Sequence, residues 1–173
     1  MVPLGTVLYA ALCHDVATWC NGKGVRMGNW RDNRPAGHDE LVALCLDNAE
    51  SISKQCGWPK EPFSGPGKVI IEHPAKGGFI DLLFQWEVRR GRMYGADCGL
   101  ILEVKSEREI WTAGDVLRQL KRYRSDLPRM VEAWFDLWEI PPKPYDMALF
   151  SGRPVADVER KILENEGVYI IRL

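Results

Sequence analysis

Cysteine is scarce in this chain, and what there is does not form a framework. Five residues fall at positions 13, 20, 45, 56 and 98 of 173. The odd number and the lack of paired short spacings argue against a disulfide scaffold; small core side chains are the expected role. Long apolar runs are also missing, so no stretch is expected to span a membrane. The segment Met1 to Cys20 is mildly apolar but lacks a basic start and carries His14 and Asp15. It does not read as a secretory leader, and a cytoplasmic location is expected. An excess of one charge is absent too. The 23 basic and 24 acidic side chains leave a formal net charge of −1. Bulk charge therefore gives no argument for a non-specific nucleic-acid binder, while leaving room for a local basic cleft. His14 and His73 have no ligand-like neighbours in sequence, and no internal repeat or low-complexity tract is present.

What is present suits one globular domain. Hydrophobic residues make up 46% of the chain and seven are Trp, enough for a core. The most informative stretch is Gly99-Leu100-Ile101-Leu102-Glu103-Val104-Lys105-Ser106. An apolar run opened by Gly and rich in Leu, Ile and Val predicts a buried strand. Alternation puts Leu100, Leu102 and Val104 on one face and Ile101, Glu103 and Lys105 on the other. A carboxylate and an ammonium at the end of a core strand carry a desolvation penalty. They are tolerated when matched by a metal, a phosphate or another charge.

The other elements follow from period and punctuation. Helical spacing predicts helices over residues 4–20, about Asp39 to Gln55 (with Gly57 just past the end), 129–138 and 155–166. The second of these buries Leu41, Val42, Leu44, Cys45 and Ile52, with Glu40 in its first turn, where a carboxylate suits the helix dipole. Residues 21–37 and 57–68 read as loops. Strands are expected at 69–73, 79–89, 147–150 and 168–173, with a turn at 74–78 and a basic connection at 90–98. In the second strand Phe79, Asp81 and Leu83 face opposite to Ile80, Leu82 and Phe84. Thr112 and Asp115 fit a capping box opening a helix that Pro128 stops. Val116, Leu117, Leu120, Tyr123 and Leu127 form its apolar stripe, and Arg118, Lys121, Arg122 and Arg124 make the rest basic. Pro141, Pro142 and Pro144 enforce an extended linker. Trp111, Trp134 and Trp138 suit either stacking on bases or packing.

Asp81 on a strand next to Glu103 would put two carboxylates at one site. That is a hard-oxygen donor set for Mg²⁺, which takes one or two carboxylates, waters and phosphate oxygens, and the Val104 carbonyl is a further candidate ligand. Lys105 reaches the same space and can hold an attacking water or offset charge on phosphorus.

Asp81 followed by Glu103-Val104-Lys105 resembles the PD-(D/E)XK, or restriction-endonuclease-like, nuclease superfamily. Gly78-Phe79-Ile80-Asp81 resembles the G-x-I-D form of its RecB-like branch, and Gln119-Leu120-Lys121-Arg122-Tyr123 resembles that branch's Q-x-x-x-Y helix motif. Glu40-Leu41-Val42 resembles the helix-borne glutamate of Holliday-junction resolvases. The likeness covers roughly residues 38–125. Ile80 stands where the superfamily name has proline, and the long gap from Asp81 to Glu103 implies an extended hairpin or an inserted loop. His38 matches the position of a RecB-like histidine poorly.

The resemblance implies an α/β fold with a restriction-endonuclease-like core. A central mixed sheet of four to five strands is flanked by helices in the order α-β-β-β-α-β. The core spans about 38–151, with residues 1–37 as an N-terminal extension carrying a helix and 152–173 as a C-terminal helix–strand. It implies a deoxyribonuclease using Mg²⁺, with Mn²⁺ as the alternative, acting in DNA repair, recombination, phage processing or restriction. Asp81, Glu103 and Val104 would hold metal, and Lys105 would activate water. Gln119 would brace the site or contact the DNA backbone, and Glu40 would add a water-mediated metal contact. Arg118, Arg122 and Tyr123, with Arg89, Arg90 and Arg92 on the connecting loop, would meet DNA. A homodimer is one expected assembly, and an iron–sulfur cluster is not expected because no cysteine follows Cys98. The alternative is an inactive nucleic-acid-binding or assembly module on the same fold.

Overall fold

A strand that is apolar on both faces needs a covering layer on each. That requirement organises the computed structural model, which describes residues 37–59, 67–90, 93–127 and 145–173. All of these belong to a unit spanning Pro35–Leu173. The expected helices at 4–20 and 129–138, and the proline-rich linker with Trp134 and Trp138 beside it, lie outside the described residues.

The elements run α1 (His38–Asp47), α2 (Ala49–Gln55), β1 (Lys68–Ala75), β2 (Gly78–Arg90), β3 (Met93–Lys105), α3 (Ala113–Asp126), β4 (Tyr145–Ser151), α4 (Asp157–Asn165) and β5 (Val168–Ile170). The sheet order is β1-β2-β3-β4-β5. The first three strands form an antiparallel meander, while β4 runs parallel to β3 and β5 parallel to β4. This is the mixed α/β sheet and element order expected. No described helix is long and apolar enough to cross a membrane.

Central strand β3 buries Leu100, Ile101, Leu102 and Val104 completely. Leu100, Leu102 and Val104 pack with Val42, Cys45 and Ile52 from α1 and α2. Ile101 packs on the other side with Val116, Leu120 and Tyr123 of α3 and Leu163 of α4. The alternation expected of this strand is therefore present, with a helical layer on each face.

Several boundaries differ from expectation, each for a local reason. The helix expected over 39–55 is interrupted at Asn48, whose backbone leaves the helical region at φ −106 and ψ 20 while its side-chain amide joins its own N–H in donating to the Leu44 carbonyl. Leu44, expected on the buried side, is 42% exposed. Pro74 lies within β1, because an edge strand has an unpaired side that can accept a residue without an N–H. The turn shrinks to Lys76-Gly77, with Gly77 at φ 81. The expected connection at 90–98 is mostly strand: β2 and β3 form one long hairpin, and β3 begins at Met93. The capping box forms as read, with Thr112 Oγ1 accepting from the Asp115 N–H and Asp115 Oδ2 accepting from the Thr112 N–H.

Gly99 permits the hairpin to close. It pairs with Gln85 on β2 and with Tyr145 on β4, and a Cβ there would lie 1.8 Å from the Phe84 carbonyl oxygen. Backbone cannot yield as a flexible side chain can, so Gly99→Ala is expected to lower stability by about 3 kcal/mol in urea denaturation. Gly114→Ala is the control. A Cβ at Gly114 would meet only Thr112 Oγ1 at 3.7 Å, and that variant should match or slightly exceed the parent.

Candidate functional site

The β2–β3 ladder shifts register between Glu87 and Arg89, then runs in step to Leu82↔Leu102 and carries no further pair beyond it. The next residue on β2 is Asp81. Its Oδ2 accepts a 2.8 Å hydrogen bond from the Val104 N–H, so a side chain takes the place of the neighbouring strand. On the other side, Glu72 of β1 lies across from Asp81, between the pairs Ile71↔Leu82 and His73↔Ile80. Glu72 has φ 54, a left-handed backbone that side chains rarely adopt. These distortions break the strict alternation expected of β2. Ile80 and Leu83 both pack on the α3 side, whereas Leu82 and Phe84 pack on the α1 side. Asp81 sits where the strand twists.

Glu103 and Lys105 end β3 on the α3 side. Glu103 is 2% exposed, and its Oε1 lies 2.9 Å from Lys105 Nζ. Its Oε2 is buried with no hydrogen-bond partner among the described residues. Burial first, and then the charge of Asp81, push the Glu103 carboxyl up to about 8, against the pull of Lys105. Burial alone would lower the Lys105 pKa, but Glu103 and Glu109 more than reverse this, and the ammonium is held charged. Lys105 Nζ also reaches Glu109 Oε1 at 2.7 Å and Gln119 Oε1 at 3.3 Å. The Gln119 amide in turn donates to the Tyr123 hydroxyl at 2.8 Å. Burial and the Glu103 and Asp81 charges raise the Tyr123 pKa, keeping its proton in place. Gly78 lets this tyrosine approach, since a Cβ there would meet the hydroxyl at 2.8 Å.

Of the residues picked out in the sequence, Asp81, Glu103, Lys105, Gln119 and Tyr123 thus form one connected cluster. The Val104 N–H is engaged there by Asp81. Glu40 is exposed in the first turn of α1, and among the described residues no hydrogen bond or ion pair joins it to the cluster. The residue that arrives from α1 is His38, with Nε2 3.4 Å from Asp81 Oδ1 and Nδ1 3.6 Å from Asp39 Oδ1. His38, Val42 and Cys45 are the buried residues of α1, spaced four and then three apart. Extending the apolar stripe back one turn would have found the histidine. Glu109, on the turn after β3, had no periodic signal to reveal it.

The expected DNA contacts are spread more widely. Arg118 is exposed and paired with Asp115 at 3.2 Å. Arg122 donates to the Gly77 carbonyl on the β1–β2 turn. Arg89 and Arg90 belong to β2 rather than to a loop; their side chains, and Arg92, lie outside the described residues. Trp111 is not a stacking platform: it is buried, with the Arg153 guanidinium 4.0 Å above its ring.

Among the described residues, no group of three or more His, Cys, Asp or Glu side chains is arranged to enclose a metal ion. Two carboxylates, one carrying an unpartnered buried oxygen, instead suit a cation that keeps much of its own water. Surface cavities of about 640 and 380 Å³, lined by residues such as Asp47, Gln55, Trp58 and Trp86, include none of the cluster.

No family model matches the chain, and no curated protein matches it. Among solved structures, the crystal structure of a repair endonuclease from Pyrococcus abyssi is similar at 20% identity and a TM-score of 0.45. The match covers 82% of this chain and 48% of that one, so the chain spans about half the length of that endonuclease.

Glu103 should leave a mark on stability. Its carboxyl binds a proton more tightly folded, at about 8, than unfolded, near 4.5. The stabilisation is therefore complete below the unfolded value and lost as pH rises through the folded one. In EDTA, the melting temperature of the parent protein should fall relative to Glu103→Gln between roughly pH 5 and pH 9, by about 3 °C or more. Parallel melting curves for the two proteins across that range would refute the burial of an ionisable Glu103.

Proposed function

We propose that this protein is a metal-dependent nuclease that hydrolyses DNA phosphodiester bonds, with the PD-(D/E)XK arrangement of Asp81, Glu103 and Lys105 as its centre. The observation that carries this reading is the buried Glu103 Oε2, without a hydrogen-bond partner among the described residues, in a side chain that meets Lys105 and feels the charge of Asp81. Glu103 and Glu109 share the Lys105 ammonium, and the Asp81 carboxylate works against ionising Glu103, so a charged Glu103 calls for more positive charge than Lys105 supplies. A buried carboxylate kept without a full set of partners works against stability, and such groups gather at functional sites. A divalent cation is the chemistry that corrects both the charge and the missing partner.

Asp81 and Glu103 would hold Mg²⁺, or Mn²⁺ in its place. Bound there, the ion would supply Lewis-acid stabilisation of the charge developing on the phosphate oxygens and would lower the pKa of water. The rest falls to the chain. The Val104 N–H fixes Asp81 Oδ2 and leaves Oδ1 turned towards His38. Lys105 orients the water whose oxygen forms the new bond to phosphorus as the bond to the leaving 3′ oxygen breaks, giving a 5′-phosphate. Gln119 steadies Lys105, and Tyr123 fixes which way the Gln119 amide points. Arg118, 77% exposed on the basic side of α3, would contact a backbone phosphate. The setting in repair, recombination, phage processing or restriction belongs to this proposal too.

A panel of linear, nicked, branched and single-stranded DNA in Mg²⁺ or Mn²⁺ tests the reading. The parent protein should cleave at least one substrate and stop in EDTA. Glu103→Ala and Lys105→Ala should each slow cleavage by about 100-fold or more. Unchanged cleavage in both variants would remove the assignment. Salt-dependent DNA binding without any cleavage would favour an inactive binding module on the same fold.

A further inference from the structure

A lysine ammonium has three N–H bonds to give, and Lys105 meets three acceptors. Glu109 Oε1 lies at 2.7 Å, Glu103 Oε1 at 2.9 Å and Gln119 Oε1 at 3.3 Å. The shortest of the three goes to a residue outside every motif discussed above. The Glu103 side chain is 3% exposed and the Glu109 side chain 23%. Lys105 is therefore gripped from the inner side by Glu103 and from the rim by Glu109. The turn that follows β3 makes this grip possible. The Glu109 N–H donates to the Ser106 carbonyl, closing the chain back so that a residue four positions on reaches Lys105.

Resting on the nuclease reading above, we propose that Glu109 is a positioning residue that keeps Lys105 aimed at the scissile phosphate when Glu103 is committed to a cation. Glu103 has two duties that conflict. Its carboxylate is both a partner of Lys105 and the side chain with a free oxygen for metal. A cation that draws on Glu103 weakens its hold on the ammonium and repels that ammonium directly. Of the remaining two partners, Gln119 is neutral and the more distant. A flexible four-carbon stem held by it alone would swing outward. Glu109 supplies the second negative charge, from the more exposed rim of the site, and holds the nitrogen in place.

The test is single-turnover cleavage in Mg²⁺ by the parent protein, Glu109→Ala, Glu109→Gln, Lys105→Ala and the Lys105→Ala/Glu109→Ala double variant. Glu109→Ala is expected to slow the chemical step by up to about 100-fold while DNA affinity stays within about twofold. Glu109→Gln, which keeps an acceptor oxygen, should recover part of the rate. The double variant should be no slower than Lys105→Ala alone, because a residue acting through Lys105 has nothing left to act on. A second readout needs no turnover: the rise in melting temperature on adding Mn²⁺ should survive in Glu109→Ala and vanish in Glu103→Gln. An unaffected rate in Glu109→Ala, multiplying effects in the double variant, or loss of the Mn²⁺-induced rise in Glu109→Ala would each overturn the proposal. The last of these would make Glu109 a metal ligand instead. A parent protein that does not cleave at all is a different result, and sinks the nuclease reading itself.

Discussion

The site depends on one hydrogen bond that a regular sheet would not contain. Where β2 and β3 would continue to pair, the Asp81 carboxylate accepts the Val104 N–H and stands in for the partner strand. A buried backbone donor must be satisfied, and a carboxylate satisfies it strongly. That exchange lets the two strands part without leaving an orphan N–H. It also fixes Asp81 beside the end of β3, where Glu103 and Lys105 leave the apolar core. The left-handed backbone of Glu72 across the way is the matching distortion on the other neighbour. The twist that results puts Ile80 and Leu82 into opposite layers.

Around this point the charges are arranged at the expense of stability. Glu103 is buried next to another carboxylate, a placement that raises its proton affinity and leaves an oxygen without a partner. A core built only for stability would fill that position with leucine. Helix α3 limits the damage: its Gln119–Tyr123 pair reaches from the basic helix to Lys105, and Tyr123 is wedged against Gly78. The same helix covers Ile101 with Val116 and Leu120. Packing and positioning are thus tasks of one element, and a helix set against a rigid sheet is a firmer support than a loop.

Local rules were legible wherever one residue type acts on its own backbone. Thr112 with Asp115 marked the start of α3, and Gly57, at φ 71, marked the end of α2. The apolar run ending in Glu103 and Lys105 marked the central strand. Reading failed where two forces compete over one residue. Asn48 is compatible with a helix until its amide finds the Leu44 carbonyl. Tyr94 to Cys98 looks like a loop because it is polar and contains glycine, yet pairing with β2 carries β3 through it. Glu40 had the right spacing for a helix-borne acid, but the buried stripe of α1 runs through His38 instead.

The chain by itself determined the element order and the two-sided covering of β3, and it singled out Asp81, Glu103, Lys105, Gln119 and Tyr123 as the candidates that the fold gathers into one cluster. The order and the covering rest on apolar spacing along single strands and helices, and the five residues on short motifs that resemble those of a known nuclease superfamily; both are properties of sequence. Only tertiary structure decided that His38 rather than Glu40 meets Asp81, that Glu109 grips Lys105, and that the β2–β3 ladder ends at Leu82. Those outcomes depend on distances between segments far apart in the chain or across a turn. They are set by which buried groups can satisfy one another once the layers have closed, and no periodicity within a single element records that.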